Sequence, residues 1–449
     1  MPSSPPTFGS SALASEWREA TFGQLIQAGA LEIGDGYRAK NSELGGDGPI
    51  FMRAGHVRDR HIDLDGVERF HRQLAAAVAP KMSHVGDVVV TTKGNSTGRT
   101  AFMGDKQPPV VYSPHLSYWR SRDPEVVVPG FLRYWARSQQ FRNQLGGLAG
   151  STDMAPYISL VDQKRLRILL PPTTVQRGIA GILGTLDDKV ELNRRMNATL
   201  ETAVRALFKS WFVDFDPVRA KAEGRDPGLP ARIAGLFPDA FENSELGDIP
   251  AGWIVATLGD VAVSLRRPVK PSELDAGTPH IGLEHMPRKS IALEEWGNAD
   301  SLESGKAAFR RGEILFGKLR PYFHKVGVAP TDGVCSTDVV VLTSKSEAWY
   351  GFVVAHLSSD AFVAYTNAGS TGTKMPRTSW SEMARYPVAL PPAAVGAAFT
   401  ERVCPMIERI LASAHETRTL AAVRDALLPR LVSGEFSITK AEQATEAVL

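Results

Sequence analysis

From Thr173 to Phe215 the chain reads TTVQRGIAGILGTLDDKVELNRRMNATLETAVRALFKSWFVDF. Within it Ile179, Leu183, Leu186, Val190, Asn193, Asn197, Leu200, Val204, Leu207 and Trp211 recur in alternating steps of four and three. Such a stripe is the seam along which one helix packs on another as a coiled coil. Adding 220 to each position gives Phe399, Val403, Met406, Ile410, Ser413, Thr417, Leu420, Arg424, Leu427 and Leu431, a second stripe in the same register. Asn193 and Asn197 return as Ser413 and Thr417; polar seam residues fix register and partner at some cost in stability. Arg424 alone departs from the second stripe. Two seams matched position for position are expected to pair with each other, and antiparallel pairing would place a domain at each end.

Both stripes follow a Leu-Pro-Pro, at Leu170-Pro171-Pro172 and Leu390-Pro391-Pro392. Proline tolerates the entrance of a helix and not its interior, so the first helix should end near Asp214, before Pro217. Pro429 should kink or stop the second. About 40 residues at 1.5 Å rise make a rod of roughly 60 Å.

Upstream of each Leu-Pro-Pro the chain repeats itself. Gly86-Asp87-Val88-Val89-Val90 is echoed by Gly312-Glu313-Ile314-Leu315-Phe316, each a β-rich run leading into a lysine-bearing loop at Lys93 or Lys318. Ala149-Gly150-Ser151-Thr152 matches Ala368-Gly369-Ser370-Thr371, and Trp17, Thr21 and Gly23 match Trp253, Thr257 and Gly259. The offset falls from 236 at the tryptophans to 220 at the Leu-Pro-Pro elements, as loops of different length in one shared frame require. The expected fold is α+β: two similar domains, 17–172 and 249–392, joined by antiparallel coiled-coil helices, 173–215 and 393–436, in a pseudo-two-fold dumbbell. Residues 1–16 and 437–449 read as tails, and 216–248, with five prolines including Pro250 just beyond it, as a linker.

Composition is that of a water-soluble globular protein, 43% hydrophobic and 22% charged. No apolar run reaches the ~20 residues that span a bilayer. Cys335 and Cys404 lack metal-ligand spacing, which suits a reduced, cytoplasmic setting. The formal net charge is only +2, with 20 Lys/Arg against 16 Asp/Glu over 1–172 and 15 against 14 over 249–392. Charges that neutralise phosphates would therefore have to be gathered on one face or shared with a partner.

A search for catalytic signatures finds none. The amino-methyltransferase pattern Asn/Asp-Pro-Pro-aromatic is missing, since Gln107-Pro108-Pro109-Val110 and both Leu-Pro-Pro elements lack the polar leader and the aromatic follower. Gly369-Ser370-Thr371-Gly372-Thr373-Lys374 has the wrong spacing for a phosphate loop. No nucleophile elbow, His-Glu-x-x-His or Cys-x-x-Cys occurs. Among the ten histidines, His56, His84, His115 and His285 have no acid or nucleophile at catalytic spacing. A binding and scaffolding chain is expected, with no metal and no cofactor of its own. Two like but unequal domains on a ruler suit a split DNA target with differing half-sites.

At this point a family resemblance emerges. Leu192-Asn193-Arg194-Arg195-Met196-Asn197-Ala198-Thr199-Leu200-Glu201, followed by Phe208-Lys209-Ser210-Trp211-Phe212-Val213-Asp214-Phe215, resembles the central region of type I restriction-modification specificity (S) subunits of the HsdS family. Leu246-Gly247-Asp248-Ile249-Pro250-Ala251-Gly252-Trp253 and Leu428-Pro429-Arg430-Leu431-Val432-Ser433-Gly434-Glu435 extend the resemblance from Trp17 to about Phe436. It implies a non-catalytic subunit, one per complex, that reads a bipartite double-stranded DNA site, one half per domain. Its helices would dock two methyltransferase (M) subunits, which bind S-adenosylmethionine. Restriction (R) subunits, which use ATP and magnesium, would join them.

The loop Thr91-Thr92-Lys93-Gly94-Asn95-Ser96-Thr97-Gly98-Arg99 is rich in donors. Lys93 and Arg99 suit phosphates, and Asn95 and Ser96 suit base edges. Lys318, Arg320, Tyr322 and His324 form its counterpart in the second copy. A second strip, Ser151, Thr152 and Tyr157, is answered by Lys374 and Arg377. Solvated turns are the bland alternative for both strips. On the helices, Arg177, Lys189, Arg194, Arg195 and Lys209 are either partner contacts or solvated charges. Three rival functions stand beside DNA reading with cleavage: a protein scaffold without DNA, an enzyme of unrecognised site, and a methylation-only system.

Overall fold

The computed structural model describes residues 17–58, 61–149, 157–300, 302, 304–372, 375–446 and 448. Two compact units emerge, Met1–Asp188 with Leu420–Leu449, and Lys189–Thr419. Each takes in one half of either long helix, a division the repeat alone does not announce.

In the first unit, β1 (Arg18–Thr21) leads into α1 (Phe22–Gln27), capped reciprocally by Thr21 and Gln24. The strands β2 (Leu31–Asp35), β3 (Ile50–Met52), β4 (Glu68–Arg69), β5 (Val88–Thr91), β6 (Thr100–Phe102), β7 (Val110–Tyr112) and β8 (Leu116–Ser121) follow, with the short α2 (Ala75–Val78) between β4 and β5. They form an antiparallel sheet in the order β2-β8-β5-β6 and a second in the order β4-β3-β7. Then come α3 (Pro129–Trp135), α4 (Gln139–Ala149), α5 (Leu160–Lys164) and β9 (Arg167–Leu170), which returns antiparallel to β1. β5 is buried on both faces, which explains its unbroken Val88-Val89-Val90 run. Phe22, Trp119, Trp135 and Phe141 pack ring on ring at 4.9–5.9 Å to close the core.

α6 (Thr173–Phe212) starts directly after Pro171 and Pro172. Beyond it the second unit repeats the first. The expected linker is folded: α7 (Asp216–Ala222), α8 (Ala231–Ala234) and the hairpin β10 (Phe241–Ser244) with β11 (Gly247–Pro250) bury Val218, Ile233 and Phe237. Its prolines mark helix starts, Pro217 in the first turn of α7 and Pro230 capping α8. Next in chain order are β12 (Ile254–Thr257), α9 (Leu258–Val261), β13 (Ala262–Ser264), β14 (Pro268–Val269), β15 (Pro279–Ile281), β16 (Gly297–Asn298), β17 (Lys306–Phe309), β18 (Ile314–Gly317), β19 (Val326–Val328), β20 (Gly333–Cys335) and β21 (Val339–Ser344). They are followed by α10 (Tyr350–Leu357), α11 (Asp360–Ala368), α12 (Trp380–Met383) and β22 (Pro387–Leu390). The sheet order β13-β21-β18-β19 reproduces β2-β8-β5-β6, and β15 runs parallel to β20 as β3 does to β7. The pair β12-β22 answers β1-β9. The repeat is one topology used twice, with β14 and β17 added in the second copy.

α13 (Ala393–Val432) has the same 40 residues as α6 and runs on past Pro429 without the expected stop. The segment expected to be a tail carries α14 (Ile438–Glu446), with Ala441 buried. Both seams face inward: every seam position is buried except Leu200, Leu207 and Met406, which are half-buried. Within the second unit the pairing is antiparallel. Trp211 meets Phe399, Met196 meets Arg409, and Lys189 and Asn193 meet Glu416. Within the first, Asp187 on α6 meets Arg424 on α13 at 2.7 Å. The departure of Arg424 from the apolar stripe is thereby explained: it is one half of a buried ion pair.

Each domain is bolted to its helix halves by polar contacts. In the first unit Arg133, Tyr134 and Arg137 converge from the α3 region on Asp187 at 2.6–2.9 Å. In the second, Glu201 on α6 accepts from the Ser290 hydroxyl at 2.6 Å and from the Ile291 and Ala292 amides. Among the described residues no helix is long and apolar enough to cross a membrane.

Candidate nucleic-acid interface

The β5–β6 and β18–β19 loops share one backbone frame. In the first unit the Thr91 amide donates to Arg99 O at 3.0 Å and the Thr97 amide to Gly94 O at 2.9 Å. In the second, Gly317 donates to Lys325 O and Phe323 to Arg320 O, both at 2.9 Å. Residue for residue the offset is therefore 226, the same as between Gly86 and Gly312. Lys93 then aligns with Leu319, and Lys318 with Thr92, one position from the match that the lysines themselves suggest.

The frame demands left-handed backbone at two places. The first copy fills them with Gly94 (φ 88°) and Gly98 (φ 87°), the residue type that adopts this conformation without penalty. The second copy fills them with Arg320 and His324, both at φ 50°. Such non-glycine residues cost of order 1–3 kcal/mol each and persist only where surroundings or function hold them. Lys289 (φ 56°) is a third, and its amide donates to His324 O at 2.9 Å. Replacing Gly98 by alanine should be costly for two reasons. The conformation is wrong, and its Cβ would lie 2.0 Å from Leu145 Cδ2. A loss of about 1–3 kcal/mol is expected on denaturant titration, where Gly55→Ala, in open space at ordinary φ, should change little.

The two strips singled out in the sequence come together. Tyr157 bridges to Lys93, and Ile158 N donates to Thr92 O at 3.0 Å. In the second unit Arg377 bridges to Leu319, and Thr378 N donates to Lys318 O at 3.1 Å. Lys93, Asn95 and Arg99 are exposed, Ser96 half-buried, and Tyr157 is 53% exposed. The Ser96 carbonyl accepts from the Thr91 hydroxyl, which stiffens the loop beneath them. Lys318 and Arg320 are half-buried, Tyr322 is 51% exposed, and Arg377 is exposed but paired to Asp338 at 3.3 Å. Ser151, Thr152 and Lys374 lie outside the described residues.

Sequence reading missed Arg288 and Phe323. The Phe323 ring lies 4.3 Å from the Arg288 guanidinium and 6.0 Å from that of Arg320, with the Tyr322 ring 4.7 Å away. Nothing local in the sequence brings residue 288 to this turn. His324 is buried, its Nε2 3.0 Å from Ser358 O and its Nδ1 3.3 Å from Asp360. Burial holds its pKa below the ordinary value even though Ser358 O and Asp360 pull the other way, so the ring is an anchor and not a cation. The helix charges are engaged as well: Arg177 with Glu125, Lys189 with Glu416, Arg194 with Glu294, Arg195 with Glu191, and Lys209 with Asp214.

One cluster among the described residues resembles a metal site, His280, Glu284 and His285, whose ligand atoms lie within 4.8 Å of one another. Its chemistry does not fit. His285 Nδ1 accepts from the Gly282 amide at 3.0 Å, which puts the proton of the neutral ring on Nε2. His56 does the same for Arg53 N in the first copy. A turn-capping role accounts for both.

No family model matches the chain. Among curated proteins it is similar to the type I restriction enzyme HindI specificity subunit of Haemophilus influenzae, 23% identical over 454 aligned positions, covering 86% of this chain and 94% of that protein. It is also 25% identical to the type I restriction enzyme MjaIX specificity subunit of Methanocaldococcus jannaschii over 70% of each. The type I restriction enzyme EcoDI specificity subunit of Escherichia coli is 27% identical, over 60% of this chain and 61% of that one. The crystal structure of the type I restriction-modification system S subunit from M. genitalium matches with a TM-score of 0.56, covering 92% of this chain and 96% of that one at 15% identity. That last likeness is one of fold.

Proposed function

We propose that this chain is the DNA-specificity subunit of a type I restriction-modification complex, each domain reading one half of a bipartite, asymmetric target. The observation that carries the reading is a single loop frame written twice, with Gly-Asn-Ser-Thr-Gly at 94–98 in one copy and Arg-Pro-Tyr-Phe-His at 320–324 in the other. A shared frame with different side chains is what two unlike half-sites need. Lys93, Asn95, Ser96, Arg99, Ser151, Thr152 and Tyr157 would serve the first half, and Lys318, Arg320, Tyr322, Lys374 and Arg377 the second. Lys93, Arg99, Lys318, Lys374 and Arg377 would meet phosphates while polar side chains read base edges. The paired helices would set the gap and dock two methyltransferase subunits, with restriction subunits joining them in the cytoplasm. S-adenosylmethionine, ATP and magnesium belong to those partners in this reading.

Long-read mapping of methylated bases tests it, in a host without such systems, after expression with the neighbouring methyltransferase subunit. The expected result is one motif of two unlike halves around a fixed gap, with adenine methylated in each. Exchanging residues 249–392 for a relative's should change one half only. The near-neutral charge of both domains favours a second reading, a protein scaffold. A stable complex with no motif, and no salt-dependent retention on DNA, would establish that instead. Methylation without cleavage in the complete system would identify a modification-only complex.

A further inference from the structure

The left-handed turn at 320–324 contains one residue that the fold does not explain. His324 is held by Ser358 O and Asp360, and Lys289 by an ion pair with Asp360 at 2.8 Å. Arg320 has no such tie. Among the described residues its guanidinium makes no hydrogen bond and no ion pair, and the Phe323 ring lies 6.0 Å from it. Its backbone is nonetheless fixed, with its amide donating to Pro376 O at 2.7 Å and its carbonyl accepting from Phe323 N at 2.9 Å. Glycine satisfies the same frame at Gly94. A side chain kept where glycine would serve, and without a polar partner among the described residues, points to a ligand.

We infer that Arg320 is a specificity-determining residue of the second domain, its guanidinium reading the paired acceptors of a guanine in the half-site that this domain contacts. Two features favour a base edge over a phosphate. A phosphate contact needs only reach and charge, which a flexible surface lysine supplies without strain. Here the Cα is rigidly placed, and an aromatic face next to the guanidinium favours a fixed plane. Fixed planar geometry is what bidentate contact with guanine O6 and N7 requires. The exposed Tyr322 and the Arg288 guanidinium beside the same Phe323 ring provide flanking contacts.

The inference rests on the DNA-reading proposal, and Arg320→Gly separates the two. Glycine relieves the left-handed strain, so the melting temperature of the full-length variant should stay level or rise. Methylome mapping of the complex should show one base pair of one half relaxed, the other half unchanged, and discrimination at that position reduced about 5- to 150-fold. Arg320→Lys, which keeps the charge but loses the fork, should relax the same position. An unchanged motif would overturn the inference, as would a uniform loss of affinity with no relaxed position, which marks a phosphate contact. Full discrimination in Arg320→Lys would overturn it as well, and a lowered melting temperature with both halves lost would assign a structural role instead. If the unaltered chain yields no bipartite motif, the DNA-reading proposal itself fails and the inference with it.

Discussion

Replacing Asp187 by alanine is expected to destabilise the chain by about 3–5 kcal/mol, the cost of breaking a buried ion pair from one side. Four side chains depend on this carboxylate: Arg133, Arg137 and Arg424 at 2.6–2.8 Å, and the Tyr134 hydroxyl at 2.9 Å. Asp187 and Arg424 are each only 10% exposed and Arg137 8%, so the loss of the shared carboxylate falls on cations with little access to water, although Arg424 keeps Asp425 at 2.9 Å. Arg424→Met should cost much less, because Asp187 keeps its other three donors. Burial alone would raise the Asp187 pKa, yet the facing guanidiniums of Arg137, Arg133 and Arg424 prevail and hold it at about 2, against 3.8 unperturbed. A carboxyl depressed by folding contributes stability that is complete above about pH 4 and is lost as pH falls towards 2. Denaturant midpoints across that window should drop for the natural chain and be flatter for Asp187→Asn. Equal stability of Asp187→Ala and the natural chain at pH 7 would refute this account of the junction.

The same site shows where sequence reading stops. A helical seam is written in local periodicity, and both stripes, their polar interruptions and the Pro-Pro starts were legible from spacing alone. Arg424 looked like a flaw because its reason lies 237 residues away, at Asp187, which is not a seam position. The offset of 220 maps Asp187 onto Ile407 and Arg424 onto Val204, and both of these are buried in the apolar core of the second unit. The two helices are equal in length and unequal in chemistry. Proline misled in two places. Pro217 and Pro230 read as linker residues yet open helices, and Pro429, where a kink or stop is expected, lies within a helix that continues to Val432.

In the candidate interface the glycines at 94 and 98 announce a tight loop, whereas no residue type announces that Arg320 and His324 adopt the same conformation. A lysine-to-lysine match of the two loops would be one residue out of register. The backbone hydrogen bonds set Lys93 against Leu319, as the offset between Gly86 and Gly312 does, and in a strand one residue is the difference between faces. Arg288 was invisible for the same reason as Asp187: contact across the fold is not periodic.

Asp87→Ala should be as damaging as the loss of Asp187, and its consequences should reach the first recognition loop. Asp87 is fully buried and accepts from Arg120 at 2.7 and 2.9 Å, from the Tyr112 hydroxyl at 2.9 Å and from the His84 amide at 2.8 Å. Burial, and then the neighbouring Asp87 charge, push the Tyr112 hydroxyl far above its ordinary pKa, so it stays protonated and donates. Alanine would remove the acceptor that all three share and leave the 11%-exposed Arg120 with only Glu32 at 3.8 Å and Met82 O at 3.4 Å, a loss of about 3–5 kcal/mol. The second copy offers the control. Glu313 plays the same part, with two bonds from Arg267 at 2.7 and 2.8 Å and one from the Arg310 amide. There the arginine is 33% exposed and can be rehydrated, so Glu313→Ala should cost only about 1–3 kcal/mol. Asp87 stands directly before β5, the strand that carries Lys93 and Asn95 outward. On the proposed DNA-reading function, its loss should therefore weaken one motif half while leaving the other half recognisable. Equal losses from the two substitutions on denaturant titration would mean that solvent access does not set the cost of these acid–arginine pairs.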